Sequence, residues 1–217
     1  MKSRTTQLIF QTVYCVLAVI GVLSSLGYFA ADFNEDFYIY YTHLSNYVCM
    51  TVMFLTLHQT AKASRRKEDG YCTTAPTFTF LCVILILVTF LVYNILLADQ
   101  NTVVEYFTSL SNMLLHVILP VMFILHWLLF YPHGALRWYH PLLCAGMPFI
   151  YLVFIVIRAA LLKNAANAVL YPYFFLNADE LGWDGFFAWI GILLVVFIAI
   201  GYAFCAIDHL IEKKKKQ

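Results

Sequence analysis

Residues 108–130, TSLSNMLLHVILPVMFILHWLLF, decide the fold of this chain. They contain no Asp, Glu, Lys or Arg, and about 20 mostly apolar residues are enough for a helix to cross the hydrocarbon core of a bilayer. Five further stretches have a similar length and character. The six transmembrane spans that we predict are residues 8–29, 37–57, 78–97, 108–130, 141–162 and 185–207.

The composition of the whole chain agrees with this interpretation. Of its 217 residues, 63% are hydrophobic and only 12% are charged, whereas soluble domains carry about 25% charged residues. The connections between the apolar stretches are too short for a second domain. We therefore predict an all-α polytopic membrane protein, a bundle of six transmembrane helices that forms a single domain over residues 1–217.

The basic residues predict the orientation. Every Lys and Arg except Arg158 and Lys163 falls in alternate connecting segments, and basic residues that flank spans are retained on the cytoplasmic side. Both termini are then predicted to be cytoplasmic. If the source is bacterial, the protein is expected in the inner (cell) membrane. The run Lys213 to Lys216 is expected to lie near anionic lipid headgroups, and not to bind nucleic acid.

The cysteines indicate neither a metal nor a disulfide framework. Six are present, without CxxC or Cys/His metal spacing, and five lie inside predicted spans, where a free Cys behaves as a small apolar residue. No metal or cofactor is predicted.

Polar side chains enter two of the spans in regular stripes. In the second span Thr42, Ser45, Asn46 and Cys49 follow the spacing i, i+3, i+4, i+7, which places them on one helix face. Polar residues inside spans usually face the bundle interior or a cavity. We expect this face to point away from lipid.

The fourth span has a comparable stripe. Ser109, Asn112 and His116 share one face, and Pro120, which follows, removes one backbone hydrogen bond. At 1.5 Å of rise per residue, Thr42 and His116 both lie roughly 8 to 12 Å below the outer boundary. Asn94 and Arg158, near the ends of the third and fifth spans, reach the same layer, which predicts one polar pocket open to the outer leaflet.

Two simpler interpretations remain beside this one. Ser, Thr and Asn commonly join neighbouring transmembrane helices, and a lone histidine is more often a hydrogen-bonded bundle residue than a catalyst.

A short internal sequence similarity, YTHLSN at 41–46 against FTSLSN at 107–112, is interpreted as chance. It nevertheless makes Thr108 a rival to Thr42.

Three landmarks lie along the chain: the pair Tyr41-Thr42, the segment from Asn112 to Pro120, and the segment LYPYFFL at 170–176. Together these landmarks resemble the androgen-induced integral membrane hydrolase family, which includes the androgen-dependent tissue-factor-pathway regulator and many six-span bacterial proteins. Their order and spacing agree with the family over nearly the whole chain. The stretch from His116 to Tyr173 looks closest to the bacterial branch.

The resemblance implies an ester hydrolase. In animal members a threonine matched by Thr42 is the nucleophile and a histidine matched by His116 is its partner, and the substrates are fatty acid esters of hydroxy fatty acids. A threonine hydroxyl needs a nearby base, and a neutral histidine suits that task. The substrate-binding residues expected around this pair are Ser45, Asn46, Asn94, Asn112, Arg158, Tyr171 and Tyr173.

An intramembrane lipid esterase is therefore the leading hypothesis, with a lipid ester or fatty acid as its partner. A lipid-binding or small-molecule transport protein could use the same polar layer for a headgroup, and a structural subunit is a third alternative. The sequence predicts no oligomeric state. Oxyanion donors are limited to Asn46, Asn94, Asn112 and Arg158.

Overall fold

The computed structural model describes residues 4–68, 72–97, 108–165 and 168–215, and the regular structure within these ranges is helical. The predicted all-α class is therefore confirmed. The main helices of the described ranges are α1 Arg4–Ser25, α2 Tyr41–Arg65, α3 Pro76–Leu97, α4 Leu110–Phe130, α5 His140–Leu162 and α6 Ala178–Lys215. Short 3₁₀ segments occupy Phe37–Ile39 and Phe174–Leu176.

Five of these helices, all except α2, are long and apolar enough to cross a membrane. This is compatible with a multi-pass membrane protein. The exception has a physical cause, because α2 carries a polar side chain on nearly every turn. Its 25 residues extend for about 37 Å at 1.5 Å per residue, so its composition and not its length separates it from the other five.

The helix bounds differ from the predicted spans mainly at their ends. The second predicted span began at residue 37, whereas the chain first forms the 3₁₀ turn Phe37–Ile39 and α2 begins at Tyr41. The last helix is longer than predicted and is interrupted at Gly182, whose φ is 67°. After α1 the chain turns at Gly27, where φ is 79° and an added Cβ would lie 1.6 Å from the Asp32 carbonyl oxygen, so only glycine fits.

The chain divides into two compact units, Met1–Ala135 and Leu136–Gln217. In the first unit α1 packs against α2 and α4, and α3 also packs against these two helices. Its core is built around α3, where Cys82, Val83, Ile84 and Ile86 are fully buried. A Cβ at Gly21 would lie 3.1 Å from Leu114 Cβ, so α1 and α4 approach closely at this point.

The second unit pairs α5 with α6. A Cβ added at Gly201 of α6 would lie 3.2 Å from Cys144 Sγ, so a small residue permits the close crossing. The fully buried carboxylate of Asp208 accepts a hydrogen bond from the Leu136 backbone N–H at 3.2 Å. The outward faces of both helices are apolar, with Phe149, Leu161 and Val195 largely exposed, as expected of surfaces that contact lipid.

Candidate functional site

The polar stripe of α2 lies on its buried face. Thr42, Ser45, Asn46 and Cys49 are all buried. The Ser45 hydroxyl donates to the Thr42 carbonyl at 3.0 Å and lies 2.8 Å from Thr89 Oγ1 of α3. Ser45 therefore joins α2 to α3, which is the structural role that a transmembrane serine commonly has.

A π-helical turn interrupts α4 at the candidate histidine. Residues Leu114–Ile118 form this turn, and the Leu119 N–H donates to the Leu114 carbonyl instead of the Leu115 carbonyl. The next residue, Pro120, has no N–H to donate. The carbonyls of Leu115 and His116 thus lose the donors that an α-helix would supply, and π turns of this kind are frequent at functional sites.

Two asparagines from neighbouring helices supply the missing donors. Asn46 Nδ2 donates to the Leu115 carbonyl at 3.1 Å and to the Thr42 carbonyl at 2.8 Å. Asn94 Nδ2 lies 3.4 Å from the His116 carbonyl and donates to the Phe90 carbonyl at 2.7 Å. The backbone distortion of α4 is therefore stabilised by side chains of α2 and α3.

The histidine ring is held by a second π turn. Residues Tyr93–Leu97 form this turn at the end of α3. The Tyr93 ring stacks on the His116 ring with a centroid separation of 3.5 Å and an interplanar angle of 14°. The imidazole is therefore clamped against a flat aromatic surface.

Thr42 and His116 lie on facing helices but are not hydrogen-bonded. The Asn46 amide nitrogen is within 3.1 Å of the carbonyls of Thr42 and of Leu115, the residue before His116, which brings the two backbones together. The Thr42 hydroxyl makes no hydrogen bond to any described residue. Catalytic hydrogen bonds are often long without substrate and shorten only when it binds.

Three buried polar atoms in this layer lack partners among the described residues. They are Asn46 Oδ1, His116 Nδ1 and His43 Nδ1. His43 lies close enough to His116 to interact with it electrostatically. His43 was not among the predicted site residues, although its position next to Thr42 in the sequence was the available signal. Buried polar atoms normally find a partner, so this layer is suited to a polar ligand or water.

The amide hydrogens discriminate among the predicted oxyanion donors. An asparagine amide has two hydrogens, and Asn46 and Asn94 each direct both at backbone carbonyls. Asn112, one helical turn before His116, is half-buried, and its side chain makes no hydrogen bond to a described residue. Within the first unit Asn112 is the predicted donor whose amide is not already committed.

The remaining predicted site residues belong to the second unit. Arg158 is 8% exposed and its guanidinium donates to the Val169 carbonyl at 2.5 Å, so the connection that leads to α6 holds it. The Tyr173 ring stacks on Phe175 at 5.1 Å. Burial, followed by the nearby Asp179 charge, raises the pKa of Tyr171.

A further set of buried polar residues in the first unit was not predicted from the sequence. Gln7 and Gln11 of α1 are fully buried, and Gln11 contacts His126 of α4. The signal was present, since Gln7, Gln11 and Tyr14 follow the spacing i, i+4, i+7. No group of three or more His, Cys, Asp or Glu within the described ranges could hold a metal ion.

Comparison with known proteins adds no identification. No family model, no curated protein and no solved structure matches this chain.

Proposed function

We propose that this chain is an intramembrane esterase that hydrolyses fatty acid esters of hydroxy fatty acids or similar lipid esters, with Thr42 as nucleophile and His116 as base. One observation carries the proposal. The His116 ring sits at a π turn against Tyr93, has an unpartnered Nδ1, and lies on a helix tied through Asn46 to the Thr42 carbonyl.

The proposed reaction has two steps. The Thr42 hydroxyl attacks the ester carbonyl while His116 takes its proton, and the alcohol then leaves with that proton, so that an acyl-threonine forms. A water molecule attacks the acyl group, His116 takes a proton from it, and the fatty acid and the free Thr42 hydroxyl are released. Stacking on Tyr93 holds the imidazole in place throughout.

The asparagines have separate proposed roles. Asn112 is the proposed donor to the oxyanion, because its amide hydrogens are not directed at described carbonyls. Preorganised donors of this kind supply a large part of the rate enhancement of acyl transfer. Asn46 orients the attacking water, since its Oδ1 is a buried acceptor without a partner.

The proposed topology has six spans, which are the five apolar helices and α2, and both termini lie in the cytoplasm. The packing of α2 against α1 and α3, which are both apolar enough to cross, supports its insertion. Reporters fused to each terminus test this directly. Six spans place both reporters on the cytoplasmic face, whereas five crossings would place them on opposite faces.

The proposed substrate class follows from the surroundings. A long-chain ester dissolves in the bilayer, so a polar layer within the spans could admit it laterally without a soluble binding domain. Within the second unit, the Arg158 guanidinium, with Tyr171 and Tyr173, is proposed to bind a lipid carboxylate.

A lipid-binding or transport function is the second candidate. The observation that favours it is the absence of a hydrogen bond between the Thr42 hydroxyl and the His116 ring. In this alternative the same polar atoms would hold a headgroup, and no covalent intermediate would form.

A fluorophosphonate probe separates the two functions. We expect an adduct on Thr42 of the purified protein, located by mass spectrometry, and its loss in Thr42→Ala. Thr51→Ala is the matched control, because Thr51 lies on the same helix but is exposed. An adduct on Thr108 or on any serine would overturn the assignment, and an unlabelled wild-type protein that binds lipid would favour the second candidate.

A further inference from the structure

Helix α1 carries polar side chains on the face that it buries. Gln7, Gln11 and Tyr14 lie one turn apart, and each is 0% exposed. Burying apolar side chains on such a face would cost less free energy than burying polar ones. Polar groups inside a span commonly mark a functional site.

Their contacts place Gln11 and Tyr14 against α4, and Gln7 against the segment that precedes α3. Gln11 Nε2 lies 2.9 Å from His126 Nε2, and the Tyr14 ring packs on Phe123 with centroids 5.8 Å apart. Phe123 and His126 are three residues apart on α4 and so share a face. Gln7, one turn earlier on α1, donates from Nε2 to the Cys72 carbonyl at 3.0 Å.

Three polar atoms of these side chains have no hydrogen-bond partner in the part of the chain that the structure describes. They are Gln7 Oε1, Gln11 Oε1 and the Tyr14 hydroxyl, all completely buried. The orientation of the Gln7 amide is determined by its contact, because the reversed amide would put its oxygen against the Cys72 carbonyl oxygen. The Gln11 amide contacts an imidazole nitrogen, so its orientation depends on the His126 tautomer, and either orientation leaves one of its polar atoms without a partner among the described residues. One buried acceptor, one amide atom and one hydroxyl therefore need hydrogen-bond partners.

The charge of the surroundings limits the class of ligand. An anion is disfavoured because Gln7 Oε1, whose orientation is fixed, can only accept. A cation is disfavoured because the Arg4 guanidinium donates to Cys72 Sγ at 3.4 Å, next to the carbonyl that Gln7 contacts. A small neutral donor fits both constraints, and buried water typically makes about three hydrogen bonds to groups of this kind.

We infer that Gln7, Gln11, Tyr14 and His126 form a second polar site in the first unit, which binds water. This site is separate from the Thr42 layer, since His126 and His116 are ten residues apart on α4, about 15 Å along the helix axis. The inference does not depend on ester hydrolysis.

Hydroxyl-radical footprinting tests it on the full-length protein. X-ray radiolysis generates radicals from water where the water is bound, so a side chain beside buried water is oxidised although bulk solvent cannot reach it. We expect oxidation of Tyr14. Phe80 is the matched buried ring, also 0% exposed, and it should stay unmodified.

Substitutions of the glutamines test whether their side chains bind the water. Gln11→Met and Gln7→Met, which keep the side-chain length, should each cause loss of the Tyr14 oxidation, whereas Gln59→Met at an exposed position of α2 should not. The wild-type result stands even if a variant fails to fold. Tyr14 oxidised no more than Phe80, or oxidation unchanged in both folded glutamine variants, would overturn the site.

Discussion

The substitution Asn46→Leu tests whether side chains from neighbouring helices stabilise the π turn of α4. Leucine has nearly the same shape as asparagine but cannot donate. The change deletes the 3.1 Å bond to the Leu115 carbonyl, to which Pro120 supplies no replacement. It also deletes the 2.8 Å bond to the Thr42 carbonyl, which matters less because that carbonyl lies within α2.

The expected magnitude follows from these two bonds. A buried acceptor left without a donor costs about 1–3 kcal/mol, and single interhelical bonds measured in membranes reach about 1.7 kcal/mol. Loss of the unpartnered Asn46 Oδ1 acts in the opposite direction. We expect the free energy of unfolding to fall by about 1–2 kcal/mol, mainly because the Leu115 carbonyl is orphaned.

Reversible unfolding of the purified protein in mixed micelles measures this change. Ser45→Ala is the matched control on the same face of α2. Its partner Thr89 keeps its own acceptor, the Leu85 carbonyl at 3.0 Å, so we expect a loss of about 0.5 kcal/mol. If Asn46→Leu were no more destabilising than Ser45→Ala, the asparagine would not be what supports the π turn.

Three further changes give separate tests. Thr42→Ala and His116→Ala should each abolish most ester hydrolysis and the double variant should lose little more, because a nucleophile and its base act as a unit; additive losses would contradict this. Arg158→Met should weaken the binding of esters with a free carboxylate and spare neutral esters, measured as a change in Kd, and equal effects on both classes would exclude carboxylate recognition. Gly27→Ala should lower the unfolding free energy by more than about 1 kcal/mol, since a Cβ cannot fit at its positive φ, and unchanged thermal unfolding would refute that strain argument.

The sequence alone determined the helical class and most of the helix positions. A chain with this much apolar surface must satisfy its backbone hydrogen bonds internally, and helices do so within one segment. The periodic polar residues of α2 also identified its buried face correctly, because residues spaced by three and four must share one side of a helix. Pro120 likewise predicted a missing backbone donor, and the structure shows the π turn Leu114–Ile118 just before it.

Only the tertiary structure decided which polar atoms form hydrogen bonds within the described residues and which do not. Asn46 and Asn94 looked equivalent to Asn112 in the sequence, yet each directs one amide hydrogen at a carbonyl of the α4 π turn and the other at a carbonyl of its own helix. The burial of Gln7 and Gln11 was not predicted from the sequence, because they lie near the start of a span, where polar residues are common. The physical reason is common to both cases: periodicity gives the face on which a side chain lies, but its hydrogen-bond partner depends on which atoms the neighbouring helix presents at that depth.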